Sequence, residues 1–293
     1  MEGRLPLRFN WSGLGRIAPK DLVKARVLAH HALQWPTRAA RANLAKVPDD
    51  SHSSLDWDPD LGALLSQPMK TNAGEVRVGL RLTGLGLLIV RNGAILDVLQ
   101  LNGKPDQVAG IWIDSKLQVL GLRPASNVKL PYPLPDHPVA TGGRYDLYML
   151  ERELGEISRW LGGSAEVLEY VKGKLAGIRP GAGPIHLWPH HFDIAMLVRL
   201  DEGAGENARS IGIGFSPGDE HYAQPYAYVS PSPRLNVEAD LLPKLPHPGF
   251  WHTEGWFGAV AKSDDLIALQ HRGEKLYEFF MSSIAVGRAQ LAA

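Results

Sequence analysis

Two apolar runs, Leu85–Val90 and Ala94–Leu101, meet at Arg91-Asn92-Gly93, and this junction restricts the fold more than any other segment. Asn-Gly supplies the positive φ angles of a tight hairpin turn, so the two runs pair as antiparallel neighbours. Just upstream, Val76, Val78, Leu80 and Leu82 alternate with Arg77, Gly79 and Arg81, the period of a half-buried strand. The first half of the chain is therefore built on antiparallel sheet. A parallel, doubly wound sheet would contradict this reading.

Helical spacing surrounds these strands. Leu22, Val23, Val27 and Leu33 predict a helix over 19–46, with Pro36 kinking or dividing it. Asn102-Gly103 leads into a helix over 106–120. The tract 126–143, carrying Pro131, Pro133, Pro135 and Pro138, is a strap or linker. A long helix over 145–178 follows. Its stripe of Leu147, Leu150, Leu154, Ile157 and Leu161 is interrupted at Gly162-Gly163 and resumes at Val167, Leu168, Val171 and Leu175. Strands dominate 184–229. A last helix starts at Ser263-Asp264-Asp265, where oxygen and negative charge suit exposed N–H groups, and buries Leu266, Leu269, Leu276, Phe280 and Ile284. The expected class is α+β, an antiparallel sheet with long helices packed against it. Halves 1–140 and 141–293 each run helix, strands, helix, either as similar units or as one continuous domain, with the candidate pocket in the second half.

Composition narrows the partners. The 293 residues are 44% hydrophobic, enough to bury a full core, and 31 basic side chains balance 31 acidic ones. No global field draws the chain to nucleic acid or an anionic membrane. Residues 1–46 carry nine Lys/Arg against Glu2 and Asp21, read as a solvated face. There is no cysteine, which removes disulfides, thiolate nucleophiles and cysteine-rich zinc sites. Neither a signal peptide nor a membrane span is apparent, so a cytoplasmic protein is expected. The oligomeric state is open.

The chemistry concentrates between Pro184 and Phe257, which hold six of the 11 histidines and ten of the 23 aromatic residues. Imidazole and indole are costly to bury without partners, so this mixture reads as a pocket lining. Gly214-Phe215-Ser216-Pro217-Gly218 matches a hydrolase nucleophile elbow only in letters. The residue after the serine must offer a backbone N–H, and Pro217 has none. A hairpin connection is the better reading there, with Asp219, Glu220 and His221 in a solvated turn.

His191-Phe192-Asp193 and His252-Thr253-Glu254 each place an imidazole and a carboxylate two residues apart. On an extended chain such residues share a side, roughly 6.5–7 Å apart. Together His191, Asp193, His252 and Glu254 form a ligand set for divalent zinc, iron or manganese. Structural hydrogen bonding is the competing reading. His186 and His190, in a strand, stand too far apart to share an ion. Trp188, Tyr226, Tyr228 and Trp251 are candidate ligand-binding walls. Asp193 and His186 are the catalytic candidates, with Asp193 or His191 as acid/base or metal ligand, Asp193 foremost because it precedes an apolar run directly.

The segments PIHLWPHHFDIA and IGFSPGDEHYAQPYAYVSPSP resemble an uncharacterised bacterial family, domain of unknown function 5996. The matching positions are His186, Phe192, Asp193, Phe215, Pro217, Gly218, Tyr226, Tyr228, Pro231 and Pro233, within 184–233. In that family the positions of His190 and His191 need not be histidine, so the resemblance shifts weight to His186 and Asp193. It implies no activity. Two functions stay open: a small-molecule pocket in a metal-assisted enzyme, or a non-catalytic ligand- or peptide-binding protein with structural histidines.

Overall fold

The computed structural model describes residues 5–203, 208–235 and 237–292. Along the chain run α1 (Val23–Ala32), α2 (Gln34–Asn43), β1 (Leu55–Asp58), β2 (Ala63–Ser66), β3 (Met69–Thr71), β4 (Gly74–Arg81), β5 (Gly86–Arg91), β6 (Ala94–Gln100) and α3 (Asp106–Val119). Then come α4 (Glu151–Lys174), β7 (Gly181–Ala182), β8 (His186–Trp188), β9 (Asp193–Arg199), β10 (Ser210–Ser216) and β11 (Tyr226–Ser232). The remaining elements are β12 (Phe250–His252), β13 (Gly258–Lys262), α5 (Ser263–Ile267) and α6 (Arg272–Ala292). They divide into two compact units. The first is Asp21–Arg159 with His186–Phe192; the second is Met1–Lys20, Trp160–Ile185 and Asp193–Ala293.

In the first unit the strands run β8-β1-β2-β4-β5-β6, with β3 on β4, and every pairing is antiparallel. The Asn-Gly turn forms as expected, with φ 50° at Asn92 and 79° at Gly93. Val76, Val78 and Leu80 are fully buried on the face of β4 that meets α2. The expected 19–46 helix divides at Leu33 rather than at Pro36. Pro36 sits in the first turn of α2, where its missing N–H is not needed. The 126–143 tract is irregular apart from one short turn, Pro138–Thr141. It is tied to the helices by the Tyr132 hydroxyl, which donates to Gln34 Oε1 at 2.8 Å, and by His31 Nε2, which donates to the Pro135 carbonyl at 2.8 Å.

In the second unit the order is β12-β13-β11-β10-β9, again antiparallel, with β7 on β9. Ile194, Met196 and Val198 of β9 and Ile211, Ile213 and Phe215 of β10 are buried on one face. That face receives α6 and the Trp160 end of α4, whose indole stacks on Phe215 at 5.3 Å.

The expected long helix forms as α4, which runs unbroken over Glu151–Lys174 through the glycine pair that interrupts its apolar stripe. A Cβ on Gly163 would lie 2.8 Å from the Phe9 ring and 3.0 Å from Trp11, so the glycine is a notch for two aromatic rings. The last helix is two helices, because His271 adopts φ 54° between α5 and α6. The Arg272 guanidinium satisfies the carbonyls exposed at that break, Ile267 at 2.6 Å and Leu269 at 3.3 Å. It also binds the carbonyls of Trp11 and Leu14. No helix among the described residues is long and apolar enough to cross a membrane.

Candidate functional site

Strand alternation in the second unit sends Asp193 and Ala195, Gly214 and Ser216, Tyr226 and Tyr228, Lys262, and Phe250 and His252 to the face opposite the helices. Tyr228 pairs with Gly214, which pairs with Ala195. The Tyr228 ring crosses β10 at Gly214 and its hydroxyl donates to Asp193 Oδ2 on β9. Only glycine permits this, since a Cβ there would sit 2.6 Å from the Tyr228 oxygen. The Tyr226 hydroxyl donates to Asp219 Oδ2, while Asp219 Oδ1 accepts the backbone N–H groups of His221 and Tyr222 at 2.8 and 3.1 Å. Burial, then the charge of Asp193, pushes the Tyr228 phenol far above its ordinary range; burial and Asp219 do the same to Tyr226. Both phenols are permanent donors.

The third phenol is also engaged. Tyr222 Oη lies 2.6 Å from His252 Nδ1, and His252 Nε2 lies 2.6 Å from the Glu254 carbonyl. A carbonyl only accepts, so Nε2 carries a proton, and Nδ1 shares the second hydrogen bond with the Tyr222 hydroxyl. Neither nitrogen is left for another partner. The rings form a chain: Tyr228 to Tyr226 at 6.1 Å, Tyr226 to Tyr222 at 4.9 Å, Tyr222 to His252 at 5.6 Å and His252 to Trp256 at 4.5 Å. The Lys262 ammonium sits 5.3 Å above Phe250 and 5.8 Å from Tyr222. A cavity of about 310 Å³ opens among Tyr222, Phe250, Trp251, His252, Thr253 and Glu254. Trp251 itself stacks on Phe257 at 5.8 Å and donates to the Pro243 carbonyl.

In the first unit, His186 Nδ1 donates to Asp56 Oδ1 at 2.8 Å. Gln67 Nε2 reaches the same oxygen at 2.9 Å and the Arg77 guanidinium reaches Oδ2 at 2.9 Å. Burial alone would raise the Asp56 carboxyl, but the His186 bond, then Gln67 and Arg77, bring it below its ordinary range. A cavity of about 280 Å³ lies beside Asp56 and Arg77. Trp188 stands edge-on to His186 at 6.0 Å, and His190 and His191 are 4.1 Å apart. His30 Nε2 and Gln34 Nε2 both donate to the Pro189 carbonyl.

The sequence-predicted residues thus fall in two groups. His186, Trp188 and His191 belong to the first unit; Asp193, Tyr226, Tyr228, Trp251, His252 and Glu254 belong to the second. Within the second unit, Asp193, Tyr226, Tyr228 and His252 join one ring chain, and Trp251 stands apart from it. The extended geometry expected of both H-x-D/E pairs is not found. Phe192 adopts φ 58° in the turn between β8 and β9, and β12 ends at His252, so Glu254 meets the imidazole through its carbonyl. Asp56, Asp219, Tyr222 and Trp256 were not singled out by the sequence. Asp219 in particular is no idle turn residue, and the aspartate two residues before His221 is the signal that marks such a turn. Among the described residues no three His, Asp or Glu side chains come together as a metal-holding group. No family model, curated protein or solved structure matches the chain.

Proposed function

We propose that the protein binds a small organic ligand against the ring faces of Tyr222, Phe250 and His252 and releases it unchanged. One observation carries this reading: the three phenols and both His252 nitrogens are already consumed by partners within the fold. What the cavity offers is aromatic surface with a few polar edges, the composition of a binding site rather than of a proton-transfer site. A thermal-shift screen of small ring compounds, followed by calorimetric titration of the hits, tests it. Tyr222→Ala is expected to weaken the hits at least about tenfold, roughly 1.4 kcal/mol. Unchanged affinity in that variant removes the site.

A metal-assisted enzyme using His191, Asp193, His252 and Glu254 makes a different prediction, stoichiometric zinc, iron or manganese in tag-free protein. A second catalytic reading rests on His186. His186 Nδ1 lies 2.8 Å from Asp56 Oδ1, the imidazole–carboxylate arrangement that orients a ring for proton transfer. Trapping by a histidine-directed alkylating reagent, faster in wild type than in Asp56→Asn, would favour that reading.

A further inference from the structure

We propose that the 126–143 strap is a pH-operated latch, docked on α1 and α2 while His137 is neutral and lifted from them when its ring is protonated. One bond sets the requirement. His137 caps the turn Pro138–Thr141, and its Nδ1 accepts the backbone N–H of Val139 at 3.2 Å. A backbone N–H only donates, so Nδ1 carries no proton in the docked strap. An imidazolium, with a proton on both nitrogens, cannot make this bond. The same ring faces His31 of α1, the two centroids 5.6 Å apart, and His31 Nε2 is the donor that holds the Pro135 carbonyl. A proton on His137 therefore breaks the cap and sets a charge against the imidazole that anchors the strap. Burial, then His31, hold His137 below the ordinary histidine range, in keeping with that geometry.

The strap is clasped at its ends by bonds that contain no imidazole. In front, Asp114 of α3 accepts the N–H groups of Ala125 and Ser126 at 2.6 and 3.1 Å. Behind, Tyr145 exchanges backbone bonds with Gly103 and Lys104 at 2.7 and 2.9 Å. Between the clasps Pro131, Pro133, Pro135 and Pro138 have no N–H, and no strand forms. The middle is held down by Tyr132 on Gln34, Pro135 on His31 and the buried Val139. Tyr132 is faced by the His190 ring at 5.8 Å, by Arg38 and Arg41 of α2, and by Asp50, which pairs with Arg41 at 3.3 Å. Beside His31 on α1 lie His30 and, a turn earlier, Arg26. Lys129 and Asp136, the strap's own charges, are exposed. Acidification thus adds cations beneath the strap where three arginines already stand. The docked strap refuses a proton that the lifted strap takes up. Docking is therefore undiminished above about pH 6.5 and weakens below it, by up to about tenfold in the docked-to-lifted ratio per pH unit.

Hydrogen exchange of the full chain, corrected for intrinsic rates and compared at about pH 7.5 and about pH 5.5, tests the proposal. The reporters are the amides of Val139, Ala140 and Gly143, which bond to the His137 ring, the His137 carbonyl and the Pro138 carbonyl. Their protection is expected to fall about tenfold at the lower pH while the amides of β4 and β5 keep theirs. His137→Asn supplies a side-chain oxygen that accepts the Val139 N–H at either pH, so its strap should stay protected throughout. Should a melting curve show that this variant does not fold, His137→Asp takes its place, since its carboxylate caps equally well and is ionised at both pH values. Strap protection that does not change with pH would overturn the proposal. So would a fall shared equally by β4 and β5, which is acid unfolding of the unit, or a cap-preserving variant that loosens as wild type does.

Discussion

Asp193 is 7% exposed and accepts the hydroxyl of Tyr228, so its carboxylate is held by a charge-assisted bond inside a crowded sheet face. Asp193→Asn keeps the shape and removes the charge. The expected result is a loss of about 1–3 kcal/mol of stability, seen as a lower melting temperature, with ligand affinity at the Tyr222 cavity unchanged. Loss of ligand or metal binding with no change in melting would instead assign Asp193 to the chemistry. His30 makes a pH prediction. Burial is the main reason its value falls from 6.5 to about 4. Between those values the unfolded chain binds a proton that the folded chain refuses. Stability is therefore flat above about pH 6.5, falls as pH drops toward 4, and this contribution levels off below, a change on the order of 3 kcal/mol. Denaturant titrations across that window should show the slope, and His30→Gln should reduce it, the remainder belonging in part to His190, which burial also lowers to about 4. An identical slope in the variant would mean other groups carry the acid limb.

At the scale of elements, α4 offers a test in which two physical effects oppose each other. Helix propensity favours Ala over Gly by about 1 kcal/mol, so Gly163→Ala would stabilise an isolated helix. In the fold the added methyl meets Phe9 and Trp11 at 2.8 and 3.0 Å. Overpacking of this kind costs about 1–3 kcal/mol, so the variant is expected to melt lower than wild type. A higher melting temperature would show that the aromatic rings simply move aside. The same helix shows why the sequence reading succeeded in some places and failed in others. The Asn92-Gly93 hairpin, the alternation of β4 and the stripe of α4 are encoded within a few residues, and local chemistry sufficed to find them. The notch at Gly163 is fixed by rings more than 150 positions away, and in one dimension a glycine pair shows only as a gap in the apolar stripe. The division at His271 likewise depends on Arg272 reaching the Trp11 and Leu14 carbonyls.

The whole molecule draws each unit from separated stretches of chain. His186 joins residues 21–159 and finds Asp56, 130 positions earlier, while Asp193, seven residues on, belongs to the other unit. Residue type alone located the histidine- and aromatic-rich segment and singled out Asp193, Tyr226 and Tyr228 in it. It did not reveal that Asp219 would take one phenol and Asp193 another, because those partners are set by strand register. The central claim is that the second unit uses its polar groups to hold a set of rings in place and uses the ring faces to bind. A fragment screen read by chemical-shift mapping on the isotope-labelled chain tests this most directly. The strongest hits are expected to perturb Tyr222, Phe250 and His252 together, and Tyr222→Ala to abolish the response. Hits that map away from these rings, or binding that disappears on removal of a bound metal by a chelator, would contradict it.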